Sequence, residues 1–174
     1  MTAQPGATTS SPPTQASEDM SRVYQEGVIA GLIGAASVAI WFLIVDTLHG
    51  RPLYTPTVLG TVLFGRGAVG SLDTLPVSLD MVLMFTWVHA LVFAAIGGLA
   101  SRLLAAAEEH PSLGFGVLLL FVFFEAGFTI VAMLLATPVL KALTWPAVLV
   151  ANLIAAAAMA AYFWRRHPRL RIQP

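Results

Sequence analysis

Four long apolar stretches dominate the pattern of hydrophobic and polar positions along the chain. They cover about residues 27–48, 79–104, 113–136 and 146–164. Each reaches the roughly 20 residues that a helix needs to cross a hydrocarbon core of about 30 Å. Spanning strands would instead alternate apolar and polar positions and close into a barrel. We therefore predict an all-α, polytopic integral membrane protein built as a four-transmembrane-helix bundle.

The segments outside these stretches divide the chain into three parts. Residues 1–20 are rich in Pro, Ser, Thr and Gln without apolar periodicity, which predicts a disordered N-terminal tail. This tail lacks the basic region and short apolar core of a signal peptide, so the first apolar stretch is expected to stay in the membrane. The four-helix domain then covers residues 21–166, and 167–174 form a short basic C-terminal tail.

Composition agrees with lipid as the surrounding solvent. The chain is 57% hydrophobic and 10% charged, whereas soluble domains carry about 25% charged residues. Basic and acidic residues balance, with no basic stripe, so nucleic-acid binding is not expected. Cysteine is absent, which excludes disulfides, thiolate metal sites, iron–sulfur clusters and cysteine nucleophiles.

The distribution of Lys and Arg predicts the orientation. With four spans both termini lie on one side of the membrane, and that side carries more basic residues than the other. We predict a bacterial-type inner membrane with both termini in the cytoplasm. The terminal side has Arg22, Arg102, Arg165, Arg166, Arg169 and Arg171, and the other side has Arg51, Arg66 and Lys141.

The first extracytoplasmic loop contains a short apolar segment. Thr55 and Pro56 precede a mostly apolar run, which predicts a helix over Pro56–Phe64. It is too short to span and is expected at the interface or against the bundle. It could act as a lid or docking surface, or as a brace that covers the helix ends.

A polar cluster is predicted near the bilayer midplane, formed by His89, Glu125, Thr129 and Asn152. An acidic side chain at this depth costs a few kcal/mol and often marks function. His89 is the expected partner of Glu125, and Thr129 lies one turn further along the same face. The cluster could relay protons or ions, hold a quinone-like ligand, ligate a metal or haem, or act only as an interhelical clasp.

Cofactor binding is not required by the sequence. The remaining histidines, His49, His110 and His167, are not level with His89, so one chain does not supply two axial histidines to one haem. A dimer or a partner subunit would be needed. Haem and quinone therefore remain alternatives.

A second polar cluster is predicted at the outer surface. It comprises Asp46, His49, Arg51 and Asp80. Carboxylate and imidazole ligands could hold a divalent cation, but no complete metal-binding motif is present. The alternative is a surface network of ion pairs.

Small residues at helical spacing predict close helix packing. Such positions let two backbones approach each other in a membrane. The interface is either internal or formed with a protein partner or a second copy of the chain. The candidate packing residues are Gly27, Gly31, Gly34, Gly97 and Gly98.

No catalytic motif is recognised: the phosphate-binding loop, nucleophile elbow and metalloprotease pattern are all absent. The sequence favours a small non-catalytic integral membrane subunit or an assembly (accessory) protein of a larger complex. The alternative is a small oligomeric proton-coupled transporter or channel that uses the midplane Glu/His pair. A quinone- or haem-associated membrane protein is a third possibility.

Overall fold

The described part of the protein is entirely helical. The computed structural model describes residues 13–65, 75–109 and 145–167, and these contain α-helices and no strand. Three of the helices contain segments long and apolar enough to cross a membrane, so the chain is a multi-pass membrane protein whose described part is all-helical. The helices are α1 (Pro13–Leu48), α2 (Tyr54–Phe64), α3 (Leu79–Glu109) and α4 (Trp145–Arg166).

One predicted span is not described, and one predicted boundary overlaps a described helix. The stretch 113–136, predicted as the third span, lies outside the described residues. The predicted disordered tail covered residues 1–20, whereas α1 already begins at Pro13. Proline suits the first position of a helix because its missing N–H has no partner there in any case.

Helix α1 is central, with α3 and α4 packed against it and antiparallel to it. Ser101, near the end of α3, donates to the Val23 carbonyl near the start of α1 at 2.8 Å. The Trp41 indole, towards the end of α1, donates to the Ala147 carbonyl at the start of α4 at 2.9 Å. The end of α3 and the start of α4 therefore lie at opposite ends of α1.

One end of the described helices carries four arginines: Arg22, Arg102, Arg165 and Arg166. We call it the basic end. A hydrogen-bonded contact between Glu26 Oε2 and His167 Nε2, 3.2 Å apart, joins α1 to the residue after α4 at this end. Arg51 lies at the opposite end, in the turn after α1.

Glycines allow the close approach of α1 and α3. A Cβ atom on Gly97 would meet the carbonyl oxygen of Gly27 and lie 2.6 Å from the amide nitrogen of Gly31. A Cβ on Gly27 would lie only 2.5 Å from the Cα of Gly98. These glycines face one another within the chain, so a second chain would have to use other faces.

Gly34 has a related role where the three spans meet. A Cβ there would lie 2.7 Å from the sulfur of Met159 on α4 and 2.9 Å from Cδ1 of Phe93 on α3. Absence of a side chain at Gly34 thus makes room for one residue from each neighbouring helix.

Helix α2 lies against α3 and touches α1. Val58, 1% exposed, is buried in this contact region. The backbone of α2 approaches α3 closely at Gly60, where a Cβ would clash with the Met81 carbonyl. Placement of α2 on the extracytoplasmic side stays a prediction.

Candidate functional site

His89 is held in a short aromatic ladder on α3. Its ring lies 5.4 Å from the Phe85 ring and 4.7 Å from the Phe93 ring, measured between centroids. These residues are four apart, so helical geometry places them on one face. Phe93 contacts α1 at Gly34, which directs the ladder towards the α1–α3 interface.

One ring nitrogen of His89 has no hydrogen-bond partner among the described residues. The imidazole hydrogen bonds to the backbone of Ala35 on α1. Its Nε2 atom is buried, and no described residue hydrogen bonds to it. An unsatisfied buried polar atom costs about 1–3 kcal/mol. His89 therefore combines a fixed ring with one nitrogen able to exchange a proton or meet a ligand.

The rest of the predicted midplane cluster is only partly described. Asn152 is half-buried on α4, which like α3 packs against α1. Glu125 and Thr129 lie outside the described residues. Pairing of Glu125 with His89 therefore stays a prediction.

Asp46 is the buried acidic residue of the opposite end. It is 5% exposed, and its carboxylate accepts hydrogen bonds from both the amide (2.8 Å) and the hydroxyl (2.7 Å) of Thr55. Thr55 is the second residue of α2, and amides in the first turn have no partner within the helix. Asp46 thus caps α2 from the end of α1, where a negative charge also suits the helix dipole.

The other three residues of the predicted outer cluster have separate surroundings. The His49 Nδ1 atom lies 2.7 Å from the Val45 carbonyl, within one turn of α1. The Arg51 guanidinium stacks over the Tyr54 ring at 3.8 Å. Asp80 is exposed in the first turn of α3.

Within the residues that the structure describes, no three His, Asp or Glu side chains are grouped so that they could hold a metal ion. What the outer end shows is a helix cap beside a cation–π contact. The described residues of the predicted outer cluster therefore do not form a set of ligands for a divalent cation.

A surface groove near the basic end was not predicted. Its volume is about 450 Å³, and its opening lies between α1 and α3. The Arg102 Nη1 atom donates to the Tyr24 hydroxyl at 2.8 Å across the groove. A Tyr and an Arg at helix ends were visible in the sequence, but their pairing depends on the register of α1 against α3. The groove is lined by Tyr24, Val28, Ala94, Ala95, Gly98, Leu99 and Arg102.

Comparisons with protein families, curated proteins and solved structures give no match to this chain. Function is therefore inferred from the geometry of these sites alone.

Proposed function

We propose that the chain is a small non-catalytic membrane subunit or assembly protein that binds another membrane protein through an exposed face of α3. The observation that carries the proposal is Trp87, whose side chain is 69% exposed. It lies eight residues after Leu79, the start of the span, or about 12 Å along the helix. That is deeper than the headgroup region where tryptophan is usually enriched.

The indole N–H of Trp87 explains why a protein partner fits this face better than lipid does. Trp41 satisfies its own N–H with the Ala147 carbonyl. No described residue accepts a hydrogen bond from Trp87. Acyl chains offer no acceptor, and an unsatisfied polar group in hydrocarbon costs several kcal/mol. An acceptor from a neighbouring subunit would remove that cost.

Trp87 belongs to an apolar stripe with Leu83 and Leu91, both exposed. The four-residue spacing places all three on one face of α3. We call it the Trp87 stripe. Because the glycine faces are used between α1 and α3, the proposed partner contacts this stripe.

The proposal includes four spans in a bacterial-type inner membrane, with both termini cytoplasmic. The end of α3 and the start of α4 lie at opposite ends of α1. The chain between them must therefore return to the other side, which supports a further crossing by residues 113–136. Collection of four arginines at one end supports a cytoplasmic location for that end.

The native mass of the protein, gently solubilised from its own membrane, tests the proposal. We expect a large assembly with stoichiometric partner chains, which Trp87→Ala dissociates. Trp164→Ala is the matched control, because Trp164 is 72% exposed but lies at the end of α4, near the headgroups. A wild-type protein that migrates alone, or an assembly that Trp87→Ala leaves intact, would contradict the proposal.

A second candidate function is a small oligomeric proton-coupled transporter or channel. The buried Nε2 atom of His89, which has no hydrogen-bond partner among the described residues, favours it, since imidazole changes charge near neutral pH. Under this hypothesis the native protein is a homo-oligomer, and His89→Phe abolishes pH-dependent flux into proteoliposomes. A phenylalanine ring at this position would keep the aromatic ladder but lose the bond to Ala35, so protein levels should be retained while stability falls by about 0.5–1.5 kcal/mol, the net value of one hydrogen bond. Unchanged flux would exclude a role for His89 in transport.

A further inference from the structure

The groove that includes Tyr24 and Arg102 is mainly apolar and opens on the outer surface of the described helices. The small residues Ala94, Ala95 and Gly98 of α3 line part of it. Val28 and Leu99, both exposed, form part of its sides. In a membrane, an apolar groove on the outer surface of a helix pair faces the acyl chains of lipids.

The polar end of the groove lies at headgroup depth. Arg102 is 23 positions after Leu79 in the span Leu79–Ala107, or about 35 Å along the helix, slightly more than the hydrocarbon thickness. Leu99 and Ala95 lie one and two turns deeper than Arg102. The groove therefore runs from the headgroup region into the hydrocarbon, as a phospholipid does.

Arg102 provides a positive charge that has no carboxylate partner among the described residues. The acidic residue Glu26, at the same end, pairs with His167, and within the described residues Arg102 forms no ion pair. Its guanidinium gives one N–H to the Tyr24 hydroxyl and retains other donors. Tyr24 accepts this bond, so its own O–H remains able to donate outward. Arg and phosphate form strong charge-assisted hydrogen bonds.

We propose that this groove binds one anionic phospholipid, with an acyl chain along Ala94–Gly98 and the phosphate held by Arg102 and Tyr24. The negative headgroup matches the guanidinium of Arg102, which has no carboxylate partner among the described residues. The site shares no residue with the Trp87 stripe.

Gly98 gives a specific way to block the groove. A Cβ on Gly98 would have no heavy atom within 4 Å, so a side chain can begin there without a clash, and we expect Gly98→Leu to fill the groove. Arg102→Gln removes the charge and leaves the groove open. Arg166→Gln is the matched control, because Arg166 also lies at the basic end and also contacts a tyrosine ring, at 5.7 Å from Tyr162.

Native mass spectrometry of the full chain, stripped of lipid in detergent, tests the site. The probes are dioleoyl phosphatidylglycerol and dioleoyl phosphatidylcholine, which differ in headgroup charge but share acyl chains. We expect one phosphatidylglycerol per chain, bound in preference to phosphatidylcholine. Arg102→Gln should weaken phosphatidylglycerol binding about tenfold, the effect of losing a charge-assisted bond. Gly98→Leu should abolish binding of both lipids, and Arg166→Gln should change neither.

Equal binding of the two lipids would overturn the proposal, as would equal losses in Arg102→Gln and Arg166→Gln. A dimer that Gly98→Leu dissociates, with lipid binding unchanged, would assign the groove to a second copy of the chain instead. Circular dichroism and the thermal midpoint verify folding. If Gly98→Leu fails to fold, the comparison of Arg102→Gln with Arg166→Gln still decides the outcome.

Discussion

Asp46 connects two helices through a single carboxylate, and its setting depends on the turn that follows it. Gly50 and Leu53 have φ angles of 71° and 64°, in the left-handed region. The backbone thereby reverses between α1 and α2 and brings Thr55 to Asp46. A non-glycine residue rarely adopts this conformation, so the residue type at Leu53 did not indicate the reversal.

We predict that Asp46→Ala releases the start of α2. Loss of the two bonds from Thr55 should destabilise the protein by about 1–2 kcal/mol, typical of a lost helix cap. Asp80→Ala, which removes an exposed carboxylate from a first turn, should cost about 0.3–1 kcal/mol.

Cysteine labelling measures this release in a chain that has no native cysteine. Val58→Cys is buried and should react with a maleimide only when Asp46→Ala is also present. Leu63→Cys, on the exposed side of α2, should react in both backgrounds. Equal protection of Val58→Cys with and without Asp46 would refute a capping role.

The role of a glycine in helix packing depends on which face of the helix it occupies. Gly97 and Gly98 are adjacent, and both were predicted as packing residues from their type and spacing. Only the structure separates them: Gly97 faces the backbone of α1, while the Cβ direction of Gly98 points into open space. The spacing of small residues predicts that two helices pack closely. Which of two adjacent glycines faces the other helix depends on the rotation of α3 about its own axis, and every helix packed against α3 influences that rotation.

Gly97→Ala and Gly98→Ala should therefore have opposite outcomes. The first forces α1 and α3 apart and should cost about 1–3 kcal/mol, the range for overpacking. The second should be neutral or slightly stabilising, because alanine favours the helix over glycine by about 1 kcal/mol. Thermal unfolding in one detergent compares the two. A larger loss for Gly98→Ala would show that the interface is rotated from the one described.

At the scale of the whole molecule, the apolar pattern predicted the membrane class and three of the spans. Length and composition suffice for this, because a helix must match the bilayer thickness. Central placement of α1, the cap on α2 and the groove at Arg102 were not predicted, since each depends on contacts between residues far apart in sequence. Glu125, the most informative residue of the sequence, lies outside the described residues.

Orientation can be tested with single cysteines at the two ends of α1. Both Arg22 and His49 are exposed, near the start and just after the end of this helix. With the termini in the cytoplasm, a membrane-impermeant maleimide should label His49→Cys in intact cells. Arg22→Cys should react only after the membrane is opened. The reverse pattern would invert the proposed topology.

The central position of α1 also has a consequence for biosynthesis. A ribosome adding about 5–20 residues per second needs about 2–7 seconds to advance from the end of α3 to the start of α4. Helix formation and local contacts take far less time. The glycine contact between α1 and α3 can thus form before the Ala147 carbonyl exists. During that interval α1 is paired with α3 and not yet with α4, so α4 adds to a helix pair that is already assembled.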